Sequence, residues 1–140
     1  MKNTTVLYID DEADTEKFAS KFDIFREGGI NVIPIISVGD ALPQIRDLQN
    51  EIKLIILDII MPPHNTYTLE ETSGGTETGL RLLQDIRQNF PNIPIMIVSI
   101  RRKQVVNDVL EKFNVTKYLE KPIPASHILC AIKNILGCDK

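Results

Sequence analysis

No stretch of this sequence is apolar for long enough to cross a membrane, since none of its runs approaches the roughly 18 residues a bilayer requires. An export signal is missing too: Met1-Lys2-Asn3-Thr4-Thr5 passes straight into a short strand-like segment that ends in acids. Cysteine is scarce. The two present, Cys130 and Cys138, fall in one expected helix, where a rise of ~1.5 Å per residue sets them about 12 Å apart, beyond disulfide reach. With neither staple nor signal, the expected compartment is a reducing cytoplasm. Positive charge is also short. Sixteen Lys and Arg face 19 Asp and Glu for a net charge of −3, which argues against a nucleic-acid-binding surface on the chain itself. Histidine occurs only as His64 and His127, which nothing pairs into a metal site and which read as surface residues. No repeat and no linker interrupts the 140 residues, so one domain spanning 1–140 is expected. What remains is 43% hydrophobic and 25% charged, a globular composition that can build a core.

Five short apolar runs alternate with five segments of helical period. The runs are Val6 to Ile9, Val32 to Ile36, Leu54 to Leu57, Ile95 to Val98 and, more weakly, Val115 to Leu119. Between them Phe18, Phe22 and Phe25 recur at i, i+4, i+7, as do Ala41, Ile45 and Leu48. Leu83, Ile86 and Phe90 follow, then Val106, Val109, Leu110 and Phe113, and finally Ile128, Ile132, Ile135 and Leu136. Such alternation implies a parallel sheet covered on both faces, a (βα)5 architecture. Pro34 cannot donate to a ladder, which puts the second strand at an edge. The fifth, with Thr116, Lys117 and Glu120 among its apolar residues, looks like the other edge. The first, third and fourth are almost purely aliphatic and belong in the centre. This is consistent with an α/β flavodoxin-like doubly wound sheet in the order 2-1-3-4-5. One stretch is irregular: 62–78, rich in Pro, Thr, Gly and Glu, is far longer than the roughly 2–6 residues usual for such connections, a length typical of functional or mobile loops.

In a parallel doubly wound sheet, ligands bind beyond the carboxyl ends of the strands. There the first strand ends in Asp10-Asp11-Glu12, the third in Asp58 and the fourth in Ser99, while Lys121-Pro122 follows the fifth. Clustered carboxylates repel one another and call for a cation, and oxygen ligands suit Mg2+. A carboxylate can act as a nucleophile and form an acyl phosphate, while a lysine and a hydroxyl stabilise charge on the transferred group. Singly, each residue has a plainer reading. Asp-Asp-Glu also makes a solvated turn or helix cap, Asp58 a loop acid, Ser99 a helix cap and Lys121 a surface lysine. A helix start at Ser99 is disfavoured by Arg101-Arg102-Lys103, which sit badly at the positive end of a helix dipole. The weight lies in all four arriving at one rim, in order.

Together the motifs resemble the receiver domains of two-component response regulators along nearly the whole chain. The matching text is Val6-Leu7-Tyr8-Ile9-Asp10-Asp11-Glu12, Leu54-Ile55-Ile56-Leu57-Asp58-Ile59-Ile60-Met61-Pro62, Ile97-Val98-Ser99 and Tyr118-Leu119-Glu120-Lys121-Pro122. The resemblance implies that Asp58 is the phosphoacceptor, charged by a sensor histidine kinase or a histidine phosphotransfer protein, and that the domain is a switch rather than an enzyme. It implies Mg2+ (or Mn2+) held by Asp11 directly, Asp10 through water, Asp58 and the backbone carbonyl of Ile60. Lys121 and Ser99 would contact the phosphoryl group, Tyr118 would be the aromatic switch, and Pro122 the proline that is often cis. A downstream protein effector is implied, with no nucleic acid or membrane bound directly.

Three features depart from the pattern. The connection after Asp58 carries roughly a dozen residues more than receivers usually have, the plain reading being an extended surface loop and the sharper one a partner-binding or gating element. Ile100 stands where a small residue is usual, which points to restricted access to the site, and Arg101 either reaches toward phosphate or is simply solvated. The chain ends at Lys140 just after the fifth helix, as a free-standing receiver or as a piece of something longer. Rival readings stay open. A haloacid-dehalogenase-type phosphohydrolase also uses Asp and Mg2+, but wants Asp-x-Asp where this chain has Asp10-Asp11. A receiver-like interaction module that never meets phosphate is the second, and a flavodoxin the third, without its phosphate loop.

Overall fold

A computed structural model describes residues 4–137. The elements are β1 (Thr4–Ile9), α1 (Glu16–Glu27), β2 (Ile30–Ile35), α2 (Val38–Leu48), β3 (Ile52–Leu57), α3 (Thr78–Asn89), β4 (Ile95–Ser99), α4 (Lys103–Lys112), β5 (Lys117–Glu120) and α5 (Ala125–Leu136). All strands pair in parallel in the order β2-β1-β3-β4-β5, as the alternation implied. Pro34 lies on edge strand β2, exposed and opposite Tyr8 of β1. Its missing donor therefore faces away from the sheet.

Because side chains alternate across a strand, each central strand feeds two cores. Leu7, Ile9, Ile55, Leu57, Ile95 and Ile97 meet α2, α3 and α4 through Ala41, Ile45, Leu83, Ile86, Val106 and Leu110. Val6, Tyr8, Leu54, Ile56, Met96 and Val98 meet α1 and α5 on the other face. The Phe18, Phe22 and Phe25 stripe of α1 packs around Tyr8, with ring centroids 5.4–6.4 Å from it. These strands are mostly apolar because both of their faces are covered along most of their length.

The ends of elements shift by a few residues from the sequence pattern. Phe90 and Phe113 fall one residue beyond α3 and α4 yet still pack on the core, and Val115 precedes β5 rather than opening it. Ser99 completes β4, and α4 begins only at Lys103, so Ser99 caps no helix. The unfavourable basic start of α4 is offset by Glu120, whose carboxylate accepts the Lys103 N–H at 3.0 Å. Cys130 is exposed and free, and Cys138 lies outside the described residues. Among the described residues no helix is long and apolar enough to cross a membrane.

The stretch 62–78 is ordered by its own hydrogen bonds. Thr68 and Glu71 exchange reciprocal side-chain-to-backbone bonds at 2.9 and 3.0 Å, a capping-box arrangement. Tyr67 is buried against α3, donates to Asp85 at 2.5 Å and lies beneath the Arg81 guanidinium. Arg81 in turn pairs with Glu71 and Asp85. This is a strap fastened to α3 rather than a loose extension.

Candidate functional site

β1 and β3 are neighbours, so their C-terminal acids emerge side by side. Asp10 N–H donates to the Ile35 carbonyl and Asp58 N–H to the Ile9 carbonyl, both at 3.0 Å. Both carboxylates are nearly buried, at 1% and 7% exposure. Asp10 divides its oxygens, Oδ1 accepting the Glu12 N–H at 2.9 Å while Oδ2 faces Lys121. The Lys121 ammonium reaches across from the end of β5 and donates to Asp10 Oδ2 at 3.2 Å and Asp58 Oδ2 at 3.0 Å. Its backbone is tied to β4 through Lys121 N–H to the Ser99 carbonyl, and the Lys121-Pro122 bond is cis.

Burial pushes the Asp10 carboxyl above its usual range, and the neighbouring Asp58 adds to this against the pull of Lys121. Asp11, exposed at the rim, is raised likewise, by partial desolvation and then by Asp10. Burial opposes the charge on Lys121, but the two acids outweigh it and hold the ammonium above its ordinary value. The rim thus carries more negative charge than one ammonium neutralises. Lys21 of α1, half-buried over the Phe18 ring, is a second cation nearby that the sequence did not flag.

Gly79 brings α3 against this cluster. A Cβ there would stand 2.1 Å from the Asp58 carbonyl oxygen and 2.6 Å from Ile59 Cα, so only glycine fits. The backbone that follows Asp58 is pinned residue by residue. Ile59 C=O accepts the Gly79 N–H at 2.8 Å, and Ile60 N–H donates to Asp58 Oδ1 at 3.2 Å. Met61 N–H donates to the Gly75 carbonyl at 3.3 Å, and Met61 C=O accepts from Thr78 Oγ1 at 2.5 Å. Among the described residues the Ile60 carbonyl alone in this run accepts nothing. An oxygen-only set that combines crowded carboxylates with a free carbonyl fits a hard divalent cation such as Mg2+. No group of three His, Cys, Asp or Glu converges on a preformed cage among the described residues. The ammonium of Lys121 holds the place between Asp10 and Asp58.

Ser99 is fully buried at the end of β4, and its Oγ accepts the Arg101 N–H at 3.3 Å. Tyr118 is buried with its hydroxyl donating to the Arg101 carbonyl at 2.5 Å, and burial followed by the Glu120 charge pushes its phenol up to about 12.

A family model described as the response regulator receiver domain matches residues 6–133. The chain belongs to that family. Membership makes it a phosphoacceptor module of two-component signalling. No curated protein matches significantly. Among solved structures, the receiver domain protein (CheY-like) from Methanospirillum hungatei is 23% identical, with a TM-score of 0.74 over 97% of this chain and 95% of that one. CheY in the CheX-CheY-BeF3-Mg complex from Borrelia burgdorferi is 22% identical at a TM-score of 0.75, covering 96% and 90%. Vibrio cholerae CheY4 is 18% identical at 0.74, covering 96% and 99%. At these identities the likeness establishes the fold.

This receiver differs locally from the sequence expectation at Arg101. Its guanidinium pairs with Glu77 of the strap at 3.2 Å. Ile100 is 65% exposed at the rim, and His64 and His127 are exposed as expected. The sequence reading missed Tyr67, Thr72 and Thr78 of this receiver, all buried. The only available signals were the Thr68-x-x-Glu71 spacing and a Thr-Gly pair opening a helix.

Proposed function

We propose that Asp58 is the residue that receives the phosphoryl group, from a phosphohistidine on a sensor kinase or phosphotransfer protein. The observation that carries this reading is the Lys121 ammonium bridging Asp10 and Asp58 at the carboxyl rim. An oxygen of Asp58 attacks phosphorus, the new O–P bond forms as the P–N bond breaks, and the departing imidazole nitrogen takes a proton. Asp10, Asp11, Asp58 and the Ile60 carbonyl would hold Mg2+, or Mn2+, with Asp10 acting through water. The cation neutralises charge that the acids and the incoming group bring together. Lys121 moves from bridging the two acids to binding a phosphoryl oxygen, and Ser99 donates its hydroxyl to another. Tyr118 and Arg101, linked through hydroxyl and carbonyl, carry the rearrangement toward an effector protein, while exposed Ile100 controls entry. The net charge of −3 favours protein partners over nucleic acid, and the domain acts as a single unit in the cytoplasm.

The test uses acetyl phosphate as donor. With Mg2+ or Mn2+, intact mass rises by one phosphoryl group. With chelator, or in Asp58→Asn, it does not. Labelling that persists in Asp58→Asn refutes the acceptor assignment.

A further inference from the structure

We propose that the 62–78 strap is a positioning device for the Ile60 carbonyl, with Thr78 as its principal contact. The inference deepens the metal reading above and rests on it. A carbonyl is a useful cation ligand only if its peptide plane is held, because a ligand that must be ordered on binding loses affinity to that ordering. Ile60 has no tertiary bond of its own beyond its N–H to Asp58 Oδ1, so its orientation is inherited from its neighbours. On one side stands Ile59, tied to Gly79. On the other stands Met61, and both of its backbone groups are held by the strap: N–H to Gly75 C=O, and C=O by Thr78 Oγ1.

The strap is constructed to deliver those two contacts. Thr72, fully buried, donates its hydroxyl to the Thr68 carbonyl at 3.0 Å and accepts the Gly75 N–H at 3.2 Å. Its carbonyl accepts the N–H groups of Gly75 and Glu77. Gly75 adopts φ +91°, a backbone conformation that side-chain-bearing residues rarely take, and its carbonyl accepts the Met61 N–H at 3.3 Å. Fixing each backbone residue costs conformational entropy, so an ordered strap needs contacts that offset it. Tyr67 burial, the Tyr67–Asp85 bond and the Thr68–Glu71 box supply them away from the site. Thr78, with 0% exposure and a 2.5 Å bond to Met61 C=O, joins that scaffold to the peptide beside Ile60.

The experiment compares wild type, Thr78→Val, Thr78→Ser and Gly75→Ala. Mg2+ affinity is read from backbone amide NMR shifts during MgCl2 titration, and apo stability is measured separately by urea melts. Residues that orient a metal ligand commonly change affinity about 10–100-fold. Here one of several ligands is affected, so Thr78→Val should weaken Mg2+ binding by about 3–10-fold. Thr78→Ser should restore it. Gly75→Ala, strained at its positive φ, should weaken binding in the same direction. Thr78→Val and Gly75→Ala that melt earlier but bind Mg2+ like wild type overturn this proposal alone. A wild-type protein that binds no Mg2+ overturns the metal reading as well.

Discussion

Replacing Lys121 by methionine isolates the charge at the centre of the rim while keeping most of the side chain's bulk. The ammonium lies 3.2 Å from Asp10 Oδ2 and 3.0 Å from Asp58 Oδ2, which holds those oxygens no more than about 6 Å apart. Two carboxylates at that separation repel by about 3 kcal/mol at an effective dielectric of ~20. Removing one partner of a fully buried ion pair costs about 3–5 kcal/mol. The Lys121 side chain is 21% exposed, so water reaches part of the gap, and Asp10 can relieve the rest by binding a proton. The expected loss at pH 7.5 is therefore about 2–3 kcal/mol, a fall of roughly 1.5 M in the urea midpoint. The pH dependence follows from Asp10, already raised by burial and by Asp58 and raised further without Lys121. A carboxyl whose folded pKa lies above its unfolded value contributes stability that is present below the unfolded pKa, near 3.9. That contribution is lost as pH rises through the folded pKa. The deficit of Lys121→Met should accordingly be full at pH 7.5 and mostly gone at pH 4.5. Millimolar MgCl2 should also recover part of it at pH 7.5. Urea melts under the three conditions decide the matter, and a deficit of equal size in all of them would refute the electrostatic account.

Gly79→Ala should lose at least about 3 kcal/mol despite alanine's better helix propensity, because its Cβ meets the Asp58 backbone at 2.1 Å. A loss below 1 kcal/mol in urea melts would show that α3 can withdraw easily. Ile100→Ala should speed phosphorylation by acetyl phosphate several-fold, a ten-fold change needing only about 1.4 kcal/mol of barrier. Stability should move by less than about 0.5 kcal/mol, as the side chain is 65% exposed. Equal rates by mass spectrometry would mean that Ile100 does not obstruct the route.

The architecture was legible because it depends on periodicity and on one proline. Aliphatic runs at β1, β3 and β4 marked strands buried on both faces, and Pro34 marked an edge. The acids and Lys121 were legible because a parallel sheet sends all its strand ends to one rim. Legibility failed where contacts are made by polar groups with no periodic signature. Thr72 and Thr78 read as loop threonines, and nothing in their spacing says that both are buried or that one grips Met61. Arg101 was read between phosphate and solvent, whereas its partner is Glu77, 24 residues earlier in a segment whose course the sequence does not reveal. Helix ends drifted because Phe90 and Phe113 are buried by tertiary packing just after the helical hydrogen bonding stops.

With glycine required at position 79, the Asp58 peptide and the first turn of α3 are packed with no slack between them. A group added at the Asp58 carboxylate would find no room to gain by moving α3 away without breaking that packing. The opposite jaw is different. β4 runs out at Ser99 into residues 100–102, where the Ile100 and Arg102 side chains are exposed and Arg101 is held by Tyr118, Glu77 and Ser99. If Asp58 is charged as proposed, the room to move would lie on the β4–α4 side, with α3 as the fixed wall opposite.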